Sequence, residues 1–300
     1  RCLIIYNEPA HDALPDELDV LDQVNFIDNS LKILGYMVDR QGITENFFNE
    51  IRQIAGRDYE FVFNLVEAVG QHAEILYFIP GLLNMLHIPY TGCPVEAAFN
   101  TGSKVLARRI MKANGIPVAG GYKVSESGQL VKGRQYILKP VWEDGSLGIT
   151  EESVFTFDGT APHILKDKND LHWFIEDFIE GREFNVSVKA GPDGPEVLPP
   201  AEMTFIGYPD DMPRIVSWKA KWEENTFQYD NSRRNFPGDL SGRLKKNISD
   251  AVLACWDVFG LKGYARVDMR VDADENVYVL EVNANPCISP DSGFISAAVH

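Results

Sequence analysis

The chain has 300 residues, enough to bury a large core and to build more than one domain. Apolar residues make up 45% and charged residues 24%, a soluble globular profile. With 44 acidic against 28 basic residues the formal charge is −16, which argues against nucleic acid or an anionic membrane as the main partner. Cys2, Cys93, Cys255 and Cys287 are widely spaced and form no C-x-x-C pair. Free thiols in a reducing compartment, the cytoplasm, are therefore expected, and neither zinc nor a disulfide framework. No apolar run approaches membrane-spanning length, and no leader-like segment is visible after Arg1.

Cys2 to Tyr6 reads as a short buried strand. Asp16 to Leu34 carries apolar residues at helical spacing (Leu18, Leu21, Val24, Ile27, Leu31, Leu34) and ends at Gly35. Tyr36 to Val38 is a candidate strand, Thr44 to Ile54 a helix closed by Gly56, and Phe61 to Phe63 a third strand. Glu74 to Leu86 reads as a helix broken or shifted at Pro80-Gly81. Strands alternating with helices imply a parallel sheet, closed near residue 100 after His87-Ile88-Pro89-Tyr90-Thr91-Gly92. A second unit follows, with a helix from Ser103 to Asn114 stopped by Gly115. Tyr122 to Val124 and Tyr136 to Pro140 are its strands, and a mixed aromatic–acidic segment runs from Leu171 to Ile179. Gly181 to Val188 is a strand with alternation. The third unit holds Trp218-Lys219-Ala220-Lys221-Trp222, a polar irregular stretch over 223–240, and a helix from Leu244 to Phe259.

The chain then reaches Tyr264-Ala265-Arg266-Val267-Asp268-Met269-Arg270, a turn, and Val277-Tyr278-Val279-Leu280-Glu281-Val282-Asn283. Alternate residues of a strand share a face. Ala265, Val267, Met269 and Val271 form one apolar face, with Arg266, Asp268 and Arg270 on the other. In the second strand Tyr278, Leu280 and Val282 form one face, and Glu281 and Asn283 the opposite one. Asp272 to Asn276 is a turn cluster of the kind that closes a hairpin. Pairing Asp272 with Val277 puts Asp268 opposite Glu281 and Arg266 opposite Asn283. Two carboxylates and an amide beside a guanidinium suit Mg²⁺ carried in by a nucleotide. The same alternation fits an ordinary hairpin with a charged solvent face. The continuation Ala284-Asn285-Pro286-Cys287-Ile288-Ser289-Pro290 favours the metal reading, because it would lie over the proposed site.

Lys139-Pro140 followed by Asp144-Gly145-Ser146-Leu147-Gly148 is a lysine at a strand end before a glycine loop. Such a loop lets backbone N–H groups approach an anion, and the lysine adds a point charge. The spacing is not that of a P-loop. Lys104, opening a helix after Thr101-Gly102-Ser103, is a weaker candidate of the same kind.

Taken in order, these pieces resemble the ATP-grasp superfamily and its D-alanine–D-alanine ligase-like group. The carriers are Pro89-Tyr90-Thr91-Gly92, Ser103-Lys104, Leu138-Lys139-Pro140, Gly145-Ser146-x-Gly148, Glu176-Asp177-Phe178-Ile179-Glu180-Gly181-Arg182-Glu183, Ala220-Lys221, Gly263 to Asp268 and Leu280-Glu281-Val282-Asn283. The resemblance implies an α/β chain of α+β lobes. It has an N-terminal Rossmann-like domain over 1–100, a central lobe over 101–187 and a C-terminal lobe with the metal site over 188–300. It implies that Lys104 and Lys139 contact ATP phosphates, with Gly145, Ser146 and Gly148 in a loop that closes over them. Glu176, Phe178 and Ile179 would face adenine, Glu183 the ribose, and Lys221 phosphate or adenine from the other lobe. Asp268, Glu281 and Asn283 would hold Mg²⁺ or Mn²⁺. Arg266 and Ser146 would be catalytic, Arg266 by stabilising charge on the transferred phosphoryl group and the tetrahedral intermediate.

Three departures fall where the resemblance places the amino acids. The first turn is Asn7-Glu8-Pro9-Ala10-His11-Asp12, where a Gly-Gly turn is expected, and Glu8 is left as a candidate for a substrate amine. Trp222 stands where a tyrosine is expected, and Cys287 where a glycine is. Ser292 is a candidate for a substrate carboxylate. The activity expected is ATP-dependent amide or dipeptide formation between small-molecule substrates through an acyl phosphate, with substrates other than two D-alanines. The resemblance is compatible with a homodimer. The competing class is a nucleotide-binding regulatory module without ligase activity.

Overall fold

In the computed structural model, which describes residues 1–70 and 72–300, three sheets are assembled along the chain. The first is three-stranded and parallel, in the order β2-β1-β3: β1 (Cys2–Asn7), β2 (Val38–Ile43) and β3 (Phe61–Leu65). The crossovers are helical, α1 (Pro15–Ile33) and α2 (Phe47–Ile54). β1 is buried almost throughout, as a central parallel strand must be. The second strand starts at Val38, later than expected. Gly35 at φ +90° ends the helix, and Asp39 to Gly42 hide an edge strand by their polarity. The buried face of α1 is Val20, Val24, Ile27 and Leu31. Leu18, Leu21 and Leu34 are exposed, so half of the expected apolar stripe faces outward.

The helix expected from Glu74 is split into a short turn at Ala73–Ile75 and α3 (Phe78–Met85). Pro80 sits in the first turn of α3, where a missing N–H costs nothing, so it marks a start and not a break. The unpredicted α4 (Val95–Gly102) then runs to Ser103, whose hydroxyl accepts from the Leu106 N–H at 3.3 Å and starts α5 (Lys104–Ala113).

The second sheet, β4-β7-β5-β6, is antiparallel: β4 (Gly121–Lys123), β5 (Gln135–Pro140), β6 (Val154–Thr156) and β7 (Trp173–Asp177). The third is built on β8 (Arg182–Gly191), which pairs with β9 (Gly194–Val197), β10 (Ala201–Phe205) and later β12. The stretch expected to be irregular over 223–240 follows α6 (Trp218–Trp222). It contains α7 (Phe227–Asn231) and β11 (Ser232–Asn235), an edge strand on β10. α8 (Gly242–Phe259) is capped by Ser241 and closed by Gly260 at φ +60°. β12 (Tyr264–Val271) and β13 (Val277–Asn283) form the expected hairpin, and α9 (Gly293–Val299) ends the chain. Among the described residues no helix is long and apolar enough to cross a membrane.

β8, which spans the expected boundary at 187, lies wholly in the third sheet, and Gly181 immediately precedes it. The close approach there requires glycine: a Cβ on Gly181 would stand 2.1 Å from the Val271 carbonyl oxygen. The first unit is not closed by its own residues either. Ile288 and Phe294 from the C-terminal segment pack among Cys2, Ile4, Val24 and Leu65. That packing brings the loop after β13 against α1.

Candidate active site

The polar face of β12 carries Arg266, Asp268 and Arg270 into one cleft of about 450 Å³. Its apolar face (Ala265, Val267, Met269 and Val271) is buried in the main core. The partner strand departs from simple alternation. Near the turn the pairing is Val271 with Val277, one residue off the expected register. A bulge at Leu280 then shifts it back, so that Asp268 does face Glu281 and Arg266 does face Asn283. The bulge also corrects the face assignment. Val282 joins Val277 and Val279 in the core, while Leu280 and Glu281 both line the cleft.

Arg266 grips Asp268 by two parallel bonds, Nε to Oδ1 at 2.7 Å and Nη2 to Oδ2 at 2.8 Å. Asn283 Nδ2 donates to Asp268 Oδ2 at 3.3 Å; Asn283 itself is buried and sits behind the cleft wall. Glu281 Oε2 lies 2.9 Å from Lys104 Nζ. That ammonium also donates to the Glu143 carbonyl at 2.7 Å and to Asp144 Oδ1 at 2.6 Å, joining the glycine loop to β13. Burial pushes the Asp268 carboxyl up, against Arg266, and the neighbouring Glu281 adds to the rise. Burial acts on Glu281 in the same direction, but Lys104 and Arg266 outweigh it and hold Glu281 well below the usual carboxylate range. Two neighbouring carboxylates, the buried Asp268 and the half-buried Glu281, repel when both are ionised, and a divalent cation relieves that repulsion.

The residues present fit such a cation on their donor chemistry. Among the described residues there is no cluster of three or more His, Cys, Asp or Glu able to hold a metal by themselves. Mg²⁺ needs fewer: one or two carboxylates, with phosphate and water oxygens completing its shell.

Farther along the cleft, Lys139 Nζ lies 2.5 Å from Oε2 of the buried Glu176. Register explains the meeting, since Ile137 pairs with Glu176 and Lys139 is two residues on, along the same face. Phe178 and Ile179 line the cleft. Glu183 is paired across the sheet with Arg270, its Oε2 3.7 Å from Arg270 Nη1. Arg270 was not singled out by the sequence reading, although it shares its face with Arg266 and Asp268. Its guanidinium lies 4.8 Å from the Phe178 ring centroid and donates to the Gly181 carbonyl at 3.1 Å and the Arg214 carbonyl at 2.9 Å. Arg270 thus ties the junction of the lobes to the loop before α6.

The glycine loop is latched across the cleft. Trp222 Nε1 donates to the Gly145 carbonyl at 2.9 Å, and Ser146 Oγ donates to the Val216 carbonyl at 2.7 Å. Gly145 and Ser146 both have positive φ, +64° and +66°. Lys221 lines the same end, its Nζ 4.6 Å from the Trp222 ring. Gly148 does not line the cleft; at φ +76° it lets the loop turn beside Trp173.

At the other end stand Cys287, Ser289, Asp291 and Ser292 from the segment after β13, with Asp19 from α1. The Cys287 thiol donates to Asp19 Oδ2 at 2.9 Å. Burial, with Glu67 and Asp19 nearby, pushes this thiol up to about 12. Gln23 Nε2 donates to Asp19 Oδ2 at 3.3 Å and to Glu67 Oε1 at 2.8 Å. Ser292 caps α9, its hydroxyl accepting from the Ile295 N–H at 3.3 Å. Glu8 is not in the cleft. It is exposed, and its carboxylate lies over Gly42 of β2. The acid that the first unit does bring into the cleft is Asp19, which periodicity alone read as one more polar position of an amphipathic helix.

The model of the family described as "D-ala D-ala ligase C-terminus" matches residues 122–300, more than half of the chain. The chain belongs to this family. A D-alanine–D-alanine ligase of Actinobacillus pleuropneumoniae is 28% identical over 282 residues, which cover 91% of this chain and 84% of that protein. Among solved structures, D-alanyl-alanine synthetase A of Vibrio cholerae superposes with a TM-score of 0.77 at 17% identity, over 100% of this chain and 93% of that one. The Bacillus anthracis ligase complexed with ATP gives 0.73 at 19% identity, over 99% and 90%. These likenesses establish the ATP-grasp fold for this member.

Proposed function

We propose that this protein is an ATP-dependent carboxylate–amine ligase that joins two small molecules by an amide bond, with substrates other than two D-alanines. The observation that carries the reading is the convergence of Asp268, Glu281, Arg266, Lys104 and Lys139 from four elements of two lobes in one cleft. A binding-only module has no need of that set. The substrate carboxylate attacks the γ-phosphate, ADP leaves, and an acyl phosphate forms. The amine then attacks the acyl carbon, phosphate leaves, and the amine proton is lost.

Asp268 and Glu281, with Asn283 behind them, would hold Mg²⁺, which when bound neutralises phosphate charge and orients the transferred group. Lys139 and Lys104 meet the phosphates by giving up, in part, their bonds to Glu176, Asp144 and Glu281. Lys221 adds charge from the opposite lobe. Arg266 retains Nη1 to stabilise the oxyanion of the tetrahedral intermediate. The latch through Trp222 and Ser146 keeps water from the acyl phosphate. Asp19 takes the role first expected of Glu8, facing the amine of the donor.

Altered specificity is supported by the three positions where the resemblance places the amino acids. Trp222 spends its one donor on Gly145, Cys287 spends its donor on Asp19, and Glu8 is absent. A site that lacks a substrate's hydrogen-bond partner discriminates steeply against it. The test is ADP release with Mg²⁺-ATP over a library of L- and D-amino acids. Release that depends on an added pair is expected, with D-alanine alone a poor substrate. Release that is indifferent to every amino acid would remove the ligase reading; efficient D-alanyl-D-alanine synthesis with no better pair would remove the altered specificity.

A further inference from the structure

Two arginines in the cleft have no part in the chemistry above. Arg233 and Arg234, on β11, line the cleft together with Cys287, Ser289 and Ser292. Arg234 Nη1 donates to the Asp291 carbonyl at 2.6 Å and meets Ser296 Oγ at 3.1 Å, which fixes the guanidinium against the turn that starts α9. Its Nε and Nη2 both lie 3.7 Å from the place a Cβ on Gly293 would occupy, so no side chain at that position covers this edge of the guanidinium. Arg233 Nη1 donates to the carbonyls of Tyr229 at 2.7 Å and Ser232 at 3.2 Å.

Every one of these acceptors is neutral. Among the described residues neither Arg233 nor Arg234 forms a salt bridge, whereas Lys104, Lys139, Arg266 and Arg270 in the same cleft each do. Both side chains are exposed toward the cleft, and in a chain of net charge −16 two adjacent cations facing a cleft without a protein counter-ion are open to a negatively charged ligand. Partial burial and the facing Arg266 both pull the affinity of Arg234 for a proton down, and Asp291 only partly compensates.

Counting charges identifies the ligand. The phosphates of ATP meet Lys104, Lys139 and Lys221. The donor's carboxylate is consumed in the acyl phosphate. One free carboxylate then remains, the α-carboxylate of an amino-acid acceptor, and Arg266 stands beside it already neutralised by Asp268. Two further guanidiniums exceed what one carboxylate needs. We propose that the acceptor is an amino acid with a second acidic group on its side chain, seated on the guanidiniums of Arg233 and Arg234. The planar fork of arginine matches a carboxylate in two parallel hydrogen bonds, which an amide of the same shape cannot accept. This inference rests on the ligase reading for the identity of the subsite, but not on turnover for its test.

The experiment is calorimetric titration of L- and D-glutamate and L- and D-aspartate, against glutamine and asparagine of the same hand, into protein saturated with Mg²⁺ and a non-hydrolysable ATP analogue. One acid should bind at least about tenfold more tightly than its amide. That ratio should fall close to one in Arg234→Gln and be partly kept in Arg234→Lys. The affinity of the ATP analogue, read in the same samples, reports whether each variant is folded. If Arg234→Gln loses its fold with the α9 turn, Arg233→Gln, which makes no bond to that turn, carries the same test. Acids that bind no better than their amides to the wild-type complex would overturn the proposal. Phosphate release separates the two readings. Tight acid binding without amino-acid-dependent release supports the acidic subsite and removes the ligase; release driven best by a neutral acceptor keeps the ligase and removes the acidic subsite.

Discussion

The two ends of the cleft are built on different principles. At the end proposed to hold nucleotide and metal, Asp268, Glu281, Lys139, Glu176 and Lys104 are positioned by strand register or by a helix start. Asp268 faces Glu281 across a hairpin, Lys139 meets Glu176 across β5 and β7, and Lys104 is the first residue of α5. At the substrate end the groups come from a loop after β13, an edge strand and a helix of another sheet, held together by side-chain bonds such as Cys287 to Asp19. Regular backbone fixes chemistry that must not vary. Loops and packed-in helices carry the selectivity, and so can be changed without disturbing the first end.

That contrast is broken most directly at Glu281. Glu281→Gln should lower turnover by on the order of 10³-fold, since it removes a charge on which the phosphoryl end depends, with the melting profile by circular dichroism nearly unchanged. Near-normal phosphate release at saturating Mg²⁺ would dissolve the distinction between the ends.

At the substrate end, Cys287 should be unreactive although it borders the cleft. A thiol titrating at about 12 holds almost no thiolate at pH 8. Its alkylation by iodoacetamide there should be more than about 100-fold slower than that of a free cysteine. The rate should keep rising tenfold per pH unit through pH 9, with peptide mass mapping as the readout. A plateau below pH 9 would mean that Arg234 and Arg266 control the thiol, not burial.

Lys139→Ala should raise the ATP requirement about tenfold, the equivalent of roughly 1.4 kcal/mol, and should also lower stability, because Glu176 is left buried without its partner. Lys104→Ala should weaken ATP less, since Asp144 is exposed and can turn to water. Calorimetric ATP affinity equal to wild type in Lys139→Ala counts against its phosphate role.

The smallest effect tests the latch. Trp222→Phe keeps the ring and deletes the N–H that Gly145 accepts, a loss of about 1 kcal/mol and so about fivefold in ATP affinity. If Trp222 contacts substrate instead, the amino-acid KM moves and ATP affinity does not.

The hairpin shows how far the sequence carries. Alternation placed Arg266, Asp268 and Glu281 on the cleft side and put Asp268 opposite Glu281, although the turn closes one residue earlier and the bulge at Leu280 makes up the difference. A one-residue bulge leaves no mark in an apolar–polar pattern, so Leu280 was grouped with Val282 although it lines the cleft and Val282 is in the core. β11 escaped because an edge strand of Ser232-Arg233-Arg234-Asn235 has no apolar alternation. Its partner β10 is adjacent only through the tertiary fold.

The sequence by itself determined the alternation of strands and helices in the first unit, the β12–β13 hairpin and the family, because those rest on local periodicity, capping and residues close together in the chain. Only the tertiary structure decided which acid of the first unit enters the cleft. Ile288 and Phe294 pack on β1 and α1 and bring the 284–292 segment against α1, so that Asp19 lies beside Cys287 while Glu8 remains over β2. Nearly 270 residues separate Asp19 from Cys287. Their meeting follows from burying apolar surface shared by two units, a sum over the whole core that no local pattern records.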